Sequence, residues 1–116
     1  MVKDALTSIE QYLSNNPQLT AILCMDDYLA TYVFHAAQRI GLHIPNDLSI
    51  TGFLDITLTQ FMPVPLTTMR QPTKELCKEA IRLLLHRIEH RVVEPQHIQI
   101  PTELVIRDSV KEISVN

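Results

Sequence analysis

Two acidic clusters, each directly after an apolar run, are the residues of this sequence best suited to chemistry. Asp26 and Asp27 follow the apolar run Thr20–Met25, and a second apolar run ends in the segment Gly52–Asp55. In a right-handed strand–helix–strand unit both clusters reach the same edge of a parallel sheet. Open α/β sheets bind small ligands at that edge. The spacing therefore predicts a small-molecule site in which carboxylates accept hydrogen bonds from the ligand.

Each residue of this predicted ligand site also has a purely structural interpretation, and the sequence leaves both open. Asp26 is interpreted as an acceptor for ligand hydroxyls, against a solvated turn carboxylate. Either Asp26 or Asp27 caps the following helix, and Asp27 is the favoured cap. Asp55 either braces its loop or touches the ligand. Leu54 either lines an apolar wall of the pocket or is an ordinary loop leucine. Phe53 either stacks on the ligand or packs in the core.

The sequence offers little support for catalysis or metal binding. No base accompanies a serine or cysteine nucleophile, and Asp26 with Asp55 leaves a hydrolase only as a minor alternative. His86 and His90 share one helical face, but no third zinc ligand accompanies them. With only two glycines, the chain lacks a glycine-rich phosphate loop. We therefore expect no enzyme, no metal and no cofactor.

Composition places the chain among soluble globular domains. Its 116 residues support one domain, and 46% of them are hydrophobic and 20% charged, as in ordinary globular proteins. The net charge of −3 does not favour direct nucleic-acid binding. There is no apolar run long enough to span a membrane and no leader-like N-terminus, so we expect no membrane partner. Cys24 and Cys77 are predicted to be two buried, reduced thiols rather than a disulfide, which suggests a cytoplasmic protein.

The apolar periodicity predicts an α/β fold: a three-layer, mainly parallel sheet with helices on both faces. A helix of about 13 residues and a strand of about six both span about 20 Å, as a crossover requires. Gly41 is suited to end the central helix. The predicted elements are a helix over 2–15, a strand over 20–25, a helix over 28–40, a strand over 48–53, a strand over 66–69, a helix over 72–89, strands over 97–100 and 103–107, and a frayed end over 110–116.

Two of these helices are predicted to bury an apolar surface. The surface of the 28–40 helix is wider than one face, so one side should pack on the sheet and the other on a partner subunit; it comprises Leu29, Tyr32, Val33, Phe34, Ala36, Ala37 and Ile40. The 72–89 helix, with Pro72 at its first position, is predicted to bury a stripe comprising Leu76, Ala80, Leu83, Leu84, Arg87 and Ile88.

Four segments, taken in order, resemble the effector domain of LacI/GalR-type bacterial transcription regulators. They are AILCMDDYLA (21–30), RIGLHIPNDLSITGF (39–53), PLTTMRQP (65–72) and PTELVIRDS (101–109), and the likeness covers roughly 17–109. The resemblance implies a two-lobed, periplasmic-binding-protein-like fold of type I, with the effector held between the lobes. It further implies that residues 1–116 are a C-terminal fragment of an effector-binding and dimerisation domain, with the DNA-binding head and the first lobe absent. Segments 66–71 and 100–103 would cross between the lobes, and the 72–89 helix would belong to the other lobe.

The likeness also assigns roles to the site residues and shows two departures from the family pattern. The family carries Asn-Asp where this chain has Asp26-Asp27; the first of the pair often bonds sugar hydroxyls and the second caps the helix. The family segment Gly-Phe-Asp-Asp appears here as Gly52-Phe53-Leu54-Asp55. Leu54 thus replaces a frequent effector contact, a hydrogen bond worth roughly 1.5–3 kcal/mol. Either the effector is less polar on that side, or its recognition rests on residues outside this chain.

Together these observations predict the effector-sensing and dimerisation portion of a bacterial transcription regulator. Its expected partners are a small-molecule effector, taken to be a sugar or sugar phosphate, a second copy in a homodimer, and operator DNA only through the absent N-terminal domain. The alternative is a fragment of a sugar solute-binding protein of a transporter, which shares the fold but requires export.

Overall fold

The computed structural model describes residues 2–90 and 94–114, with the side chains described from residue 4 onward. One four-stranded sheet organises the chain. The elements are α1 (Val2–Asn15), β1 (Ala21–Leu23), α2 (Asp27–Arg39), β2 (Ser49–Leu54), a 3₁₀ helix (Thr57–Phe61), β3 (Thr67–Arg70), α3 (Thr73–Glu89) and β4 (Glu103–Val105).

The sheet has the strand order β1-β2-β3-β4 and is mainly parallel. Strands β1 and β2 pair in parallel, with Leu23 opposite Thr51, and β2 and β3 pair in parallel, with Leu54 opposite Arg70. Only β4 runs antiparallel to its neighbour β3, with Glu103 opposite Arg70. The predicted α/β class and mainly parallel sheet are confirmed.

Helices α1 and α2 pack against each other, and α2 packs on β2, so that one hydrophobic core holds the body of the molecule together. Burying one of the larger apolar side chains of this core contributes about 1.5–3 kcal/mol. Leu23, on the alternate side of β1, is 85% exposed. The core comprises Leu13, Cys24, Ala30, Val33, Phe34, Ala37, Ile44, Leu48, Ile50 and Leu66.

Gly41 lies just beyond the C-terminus of α2, where the sequence predicts that it ends the helix. Gly41 adopts φ +82°, and its N–H donates to the Gln38 carbonyl at 3.1 Å. The next N–H, from Leu42, donates to the Ala37 carbonyl at 2.9 Å. This pair of bonds satisfies the last carbonyls of the helix, and glycine adopts its left-handed conformation without a Cβ penalty.

Five sequence predictions about elements and cysteines differ from the structure. Strand β1 is shorter than predicted, the predicted loop before β3 contains a 3₁₀ helix, and Pro72 precedes α3 instead of opening it. Segment 97–100 is not a strand; the antiparallel edge of β3 is occupied by β4, and a strand without a paired neighbour leaves its backbone groups unsatisfied. Of the two thiols, Cys24 is buried as predicted, but Cys77 is exposed.

Helix α3 has no buried residue, so the buried stripe predicted for it is wrong for this chain. Ile81 is 57% exposed, Leu84 59% and Ile88 69%. The molecule is accordingly elongated, with extents of 59 × 37 × 25 Å. Its radius of gyration is 19.1 Å, against about 13 Å for a compact chain of this length. We call α3 together with residues 94–100 the arm, and the rest of the described chain the body.

The segment after β4 is held to the sheet more firmly than a frayed end. The Ser109 hydroxyl donates to the Ile50 carbonyl at 2.6 Å and accepts from the Thr67 N–H at 2.8 Å. The Lys111 N–H donates to the Ser49 hydroxyl at 3.2 Å. The prediction of fraying from residue 110 is therefore wrong near its start, and residues 115–116 lie outside the described part.

Candidate functional site

The two acidic clusters meet at one edge of the sheet, as their positions predict. Parallel pairing of β1 with β2 aligns the strand ends, and the loops that follow them come into contact. The Asp27 Oδ2 accepts a hydrogen bond from the Ile56 N–H at 2.9 Å, joining the start of α2 to the loop after β2. The prediction that both clusters share a rim is confirmed. We call the residues at this edge, namely Asp26, Asp27, Phe53, Leu54 and Asp55, the rim.

Asp26, not Asp27, is the N-cap of α2. Its backbone is extended (φ −150°, ψ 171°), and its Oδ1 accepts from the Leu29 N–H at 2.7 Å. Of the two predicted candidates for the cap, the favoured one, Asp27, is therefore wrong and Asp26 is correct, because the helix begins one residue earlier than predicted. Among the described residues no donor bonds the second oxygen of Asp26. This partly exposed carboxylate can therefore cap the helix and still offer one acceptor to a ligand.

Asp27 is the buried member of the rim and ties three elements together. Its side chain has no exposed surface. Its Oδ1 accepts from the Thr68 hydroxyl at 2.6 Å, while Oδ2 accepts from the Ile56 N–H. A Cβ placed on Gly52 would lie 2.2 Å from Asp27 Oδ1, so only glycine at this point of β2 leaves room for the carboxylate. In this arrangement both oxygens are bonded inside the chain, and Asp27 positions the rim.

The turn at Leu54 and Asp55 is conformationally strained. Leu54 has φ 122° and Asp55 has φ 58°, and both lie in regions that residues with a Cβ rarely occupy. Such backbone costs of order 1–3 kcal/mol per residue and persists only where surrounding contacts hold it. Strain of this kind clusters at ligand-binding sites. The observation motivates the rim as a candidate site independently of its charges.

Two arginines hold the Asp55 side chain, which is only 4% exposed. Arg70 Nε donates to Asp55 Oδ2 at 2.7 Å, and Arg107 NH2 donates to Oδ1. Burial raises the pKa of Asp55, but the hydrogen bonds and charges of Arg107 and then Arg70 outweigh it and lower that pKa below 3.8. Asp55 thus braces its turn, as one of its two sequence interpretations predicts. A carboxylate engaged by two guanidinium groups is poorly placed for acid–base work.

Phe53 and Leu54 complete the rim, and both are half-buried. Phe53 lies opposite Met69 in the neighbouring strand, on the sheet face that also includes Thr51. Leu54 offers no polar atom beyond its backbone, so this part of the rim is apolar. The structure places both residues at the site and leaves their contact with a ligand a prediction.

Sequence analysis missed the arginines and the threonine that support the rim. Arg70 ends β3, the third strand whose carboxyl end lies at this edge, so the edge rule itself could have found it. Thr68 faces α2 from the same strand. Arg107 follows β4, and its NH1 also donates to the Leu66 carbonyl at 2.8 Å. Only the tertiary fold shows that Arg107 reaches back 52 residues to Asp55.

Burial and nearby carboxylates also change the pKa of Cys24, the thiol that lies in the core. Burial raises the pKa of Cys24 to about 11, and the charges of Asp26 and Asp27 add to this effect. A thiol with so high a pKa is a poor nucleophile at neutral pH. Cys24 therefore contributes packing to the site.

No metal-binding or membrane-spanning feature occurs in residues 2–90 and 94–114. These residues contain no group of three or more His, Cys, Asp or Glu side chains that could hold a metal ion. The rings of His86 and His90 stack with centroids 4.5 Å apart, and His90 Nδ1 lies 3.0 Å from the His86 carbonyl oxygen. None of the described helices is long and apolar enough to cross a membrane.

Comparison with known proteins gives one consistent family. The model of the periplasmic binding protein-like domain matches residues 1–110. Similar curated proteins include the HTH-type transcriptional repressor PurR of Photobacterium profundum, 33% identical over 97% of this chain and 34% of that protein, and PurR of Vibrio vulnificus, 34% identical over 95% and 33%. The chain thus spans about a third of the length of these relatives.

Solved structures agree with the fold. The regulator CelR in complex with cellobiose shares 25% identity, with TM-score 0.84 over 94% of this chain and 33% of that one. A LacI family regulator from Enterococcus faecium with bound ribose shares 26% identity, with TM-score 0.82 over 95% and 40%. An uncharacterized protein from Actinobacillus succinogenes shares 33% identity, with TM-score 0.72 over 79% and 33%.

Proposed function

Because this chain belongs to the periplasmic binding protein-like domain family, in the form of a LacI/GalR effector-binding domain, we propose that it is the effector-sensing part of a bacterial transcription regulator. The observation that carries the proposal is the shared rim, where the ends of β1 and β2 bring Asp26 and the strained Leu54–Asp55 turn together. A free carboxylate oxygen beside an apolar wall can bind one polar edge and one apolar face of a small molecule.

We propose a sugar or sugar phosphate as the effector. Support comes from similar structures that hold cellobiose and ribose, and from the unbonded oxygen of Asp26, which suits a sugar hydroxyl. Leu54 in place of the family's aspartate reduces the number of charged acceptors on one side. Binding of the effector should therefore depend more on Asp26 than on the loop after β2. Binding would act by population shift, because an effector stabilises whichever conformation it binds more tightly.

We further propose a homodimer in which one side of α2 meets a second copy. Most of the apolar surface predicted for α2 packs within the chain, because Val33, Phe34, Ala36 and Ala37 are buried. What remains outside is smaller: Tyr28 is 58% exposed and Leu29 39% exposed. Light scattering at micromolar concentration tests this contact. A monomer under those conditions would contradict it.

The domain arrangement that we propose for the whole protein rests on the share of its relatives' length that this chain covers. The chain aligns with about a third of each curated relative, and we propose that a DNA-binding head and a first lobe lie outside it. Operator binding would then belong to the longer polypeptide. The similar curated proteins are transcriptional repressors, which favours a regulator over a transporter's solute-binding protein.

A ligand panel tests the sensing proposal. Ribose, cellobiose and glucose 6-phosphate are titrated while the melting temperature is followed by circular dichroism; a ligand at a hundred times its Kd adds about 2.7 kcal/mol of stability. Asp26→Asn is the informative variant, because asparagine caps a helix about as well as aspartate but removes the charge. We expect it to reduce the ligand-induced shift without lowering the melting temperature of the free protein.

A gain-of-function variant sharpens the same test. Leu54→Asp restores the carboxylate that the resemblance assigns to this position, and we expect it to strengthen binding of hydroxylated ligands. Gln18→Ala, an exposed change remote from the rim, is the matched control. Stabilisation by no compound in the panel, or equal shifts in the parent chain and Asp26→Asn, would contradict the proposal.

A further inference from the structure

The two arginines that lie at the rim are already paired with carboxylates. Arg70 donates from Nε to Asp55 Oδ2 at 2.7 Å and from NH1 to Glu103 Oε2 at 3.1 Å. Arg107 bonds the other oxygen of Asp55, and its NH1 donates to the Leu66 carbonyl at 2.8 Å. The two arginines and their two carboxylates therefore carry no net charge at neutral pH. A phosphate that approached either guanidinium group would also meet these carboxylates, and like charges repel.

The carboxylates of Asp26 and Asp27 have no cationic partner. Asp26 accepts from the Leu29 N–H at 2.7 Å. Asp27 accepts from the Thr68 hydroxyl at 2.6 Å and from the Ile56 N–H at 2.9 Å. All three donors are neutral, and among the described residues no arginine, lysine or histidine pairs with either carboxylate. The start of α2 thus carries two formal negative charges, which the helix dipole offsets by only about half a charge.

The thiol of Cys24 responds to this negative charge. Its pKa is about 11, raised first by burial and then by the charges of Asp26 and Asp27. Negative charge that disfavours a thiolate also disfavours an anionic group of a ligand and favours a cationic one. Asp26 is half-buried and keeps one oxygen free, so a ligand can reach it. Asp27 contributes its charge without contact, because both its oxygens are bonded inside the chain.

We propose that the rim selects a positively charged group, and that the effector is a sugar bearing a protonated amine and not a sugar phosphate. The ammonium group would donate to the free oxygen of Asp26, and a charge-assisted hydrogen bond of this kind is about twice as strong as one from a neutral hydroxyl. Leu54, which is uncharged, adds nothing that would bind a phosphate. That the ligand is a sugar rests on the proposed function; the charge preference of the rim does not.

Charged probes measure the preference without any effector. Two soluble nitroxides, one bearing an amine and the other a carboxylate, are added in turn, and the paramagnetic relaxation of each backbone amide is measured by NMR. The Leu29 amide, which is bonded to Asp26, reports the rim. We expect the aminated probe to relax it about two- to fourfold more strongly than the carboxylated probe, as one to two charges at about 8 Å produce in dilute salt. Asp26→Asn should lower this ratio below about twofold.

Glu112→Gln is the matched control for the probe measurement. It removes the same charge from an exposed residue next to Lys111, whose N–H bonds Ser49 at the start of β2, the edge of the sheet opposite the rim. It should leave the ratio at Leu29 unchanged. Asparagine at position 26 keeps the helix cap, and the amide spectrum reports whether each variant stays folded. In 1 M salt, where screening acts beyond about 3 Å, the ratio in the parent chain should approach one.

A matched ligand series tests the effector itself. Glucose, 6-amino-6-deoxyglucose and glucose 6-phosphate differ only in the group at carbon 6, and glucosamine carries its amine at carbon 2. At least one of the two amines should bind about fivefold more tightly than glucose, and the phosphate about fivefold more weakly, as expected for one charge pair near the surface. In Asp26→Asn the affinities of the amine and of glucose should agree within about twofold.

Two results would refute the charge preference. One is equal relaxation of the Leu29 amide by the two probes, and the other is tightest binding of glucose 6-phosphate within the series. In the second case a sugar still binds, so the sensing proposal stands. Stronger relaxation by the aminated probe without binding of any sugar would have the opposite meaning. The charge preference would then stand, while the sensing proposal and the aminated sugar would both be refuted.

Discussion

The close approach of Gly52 and Asp27 gives the sharpest quantitative prediction. In Gly52→Ala the new methyl carbon would lie 2.2 Å from Asp27 Oδ1 and 2.9 Å from Leu66 Cδ2. The leucine end can rotate away, but the carboxylate is held by Thr68 at 2.6 Å and by the Ile56 N–H at 2.9 Å. The methyl group therefore has to displace Asp27 or strain the strand.

The expected loss of stability in Gly52→Ala has two contributions, overpacking and weakened hydrogen bonds. Overpacking a well-packed interior costs about 1–3 kcal/mol. A hydrogen bond to a charged group contributes about 1.5–3 kcal/mol, and a displaced Asp27 would weaken one or both of its bonds. We expect Gly52→Ala to lower the free energy of unfolding by about 3–5 kcal/mol, a large part of the stability of a domain of this size. Urea unfolding followed by circular dichroism measures it.

A double-mutant cycle isolates the cause. Asp27→Ala alone should cost about 2–6 kcal/mol, because two buried donors lose their acceptor. In that background Gly52→Ala should cost markedly less, since the methyl group then occupies space that the carboxylate has vacated. Additive costs of the two substitutions would refute the reasoning. A cost below about 1 kcal/mol for Gly52→Ala in the parent chain would also refute it, because costs that small are typical of surface substitutions.

Three further predictions concern single residues. Because the folded pKa of Asp55 is lowered below 3.8 by its two arginines despite its burial, its contribution to stability is present above pH 4 and lost as the pH falls through the folded pKa; acid unfolding should show this loss, and Asp55→Asn should remove it. Cys77 should react rapidly with a thiol reagent at pH 8, while Cys24, buried and with a pKa of about 11, should react only on unfolding. Asp26→Ala should lower the free energy of unfolding by about 0.5–2 kcal/mol through loss of the cap, and Asp26→Ser should recover most of it.

The sequence predicted the elements of the body well because each has a local cause. The apolar run before Asp26, the glycine at position 41 and the proline at position 17 act on their own neighbours in the chain. The shared edge of β1 and β2 then follows from the handedness of the crossover alone. What the sequence could not predict depends on distant partners. Arg107 and Asp55 are far apart in the chain, and no local pattern pairs them.

Helix α3 shows the same limit of sequence-based prediction, because its helical conformation was predicted correctly but its exposure was not. Its periodicity predicts a helix correctly, because helix formation depends on local spacing. Periodicity says that one face is apolar but not what covers it. Ile81 and Ile88 accordingly remain exposed. Burial is a property of the partner surface, and within the described residues that partner is not supplied.

The strained turn and its anchors are best understood together. Leu54 and Asp55 adopt positive φ although neither is glycine, a cost that a stable fold does not retain without compensation. Asp27 bonds the backbone at Ile56 on one side of the turn, and the arginines bond the Asp55 side chain on the other. A turn relaxed by glycine would need none of these bonds. Four charged side chains, those of Asp27, Asp55, Arg70 and Arg107, are thus committed to holding one loop of the rim in a single conformation. A single held conformation is the property that a site for selective small-molecule binding requires.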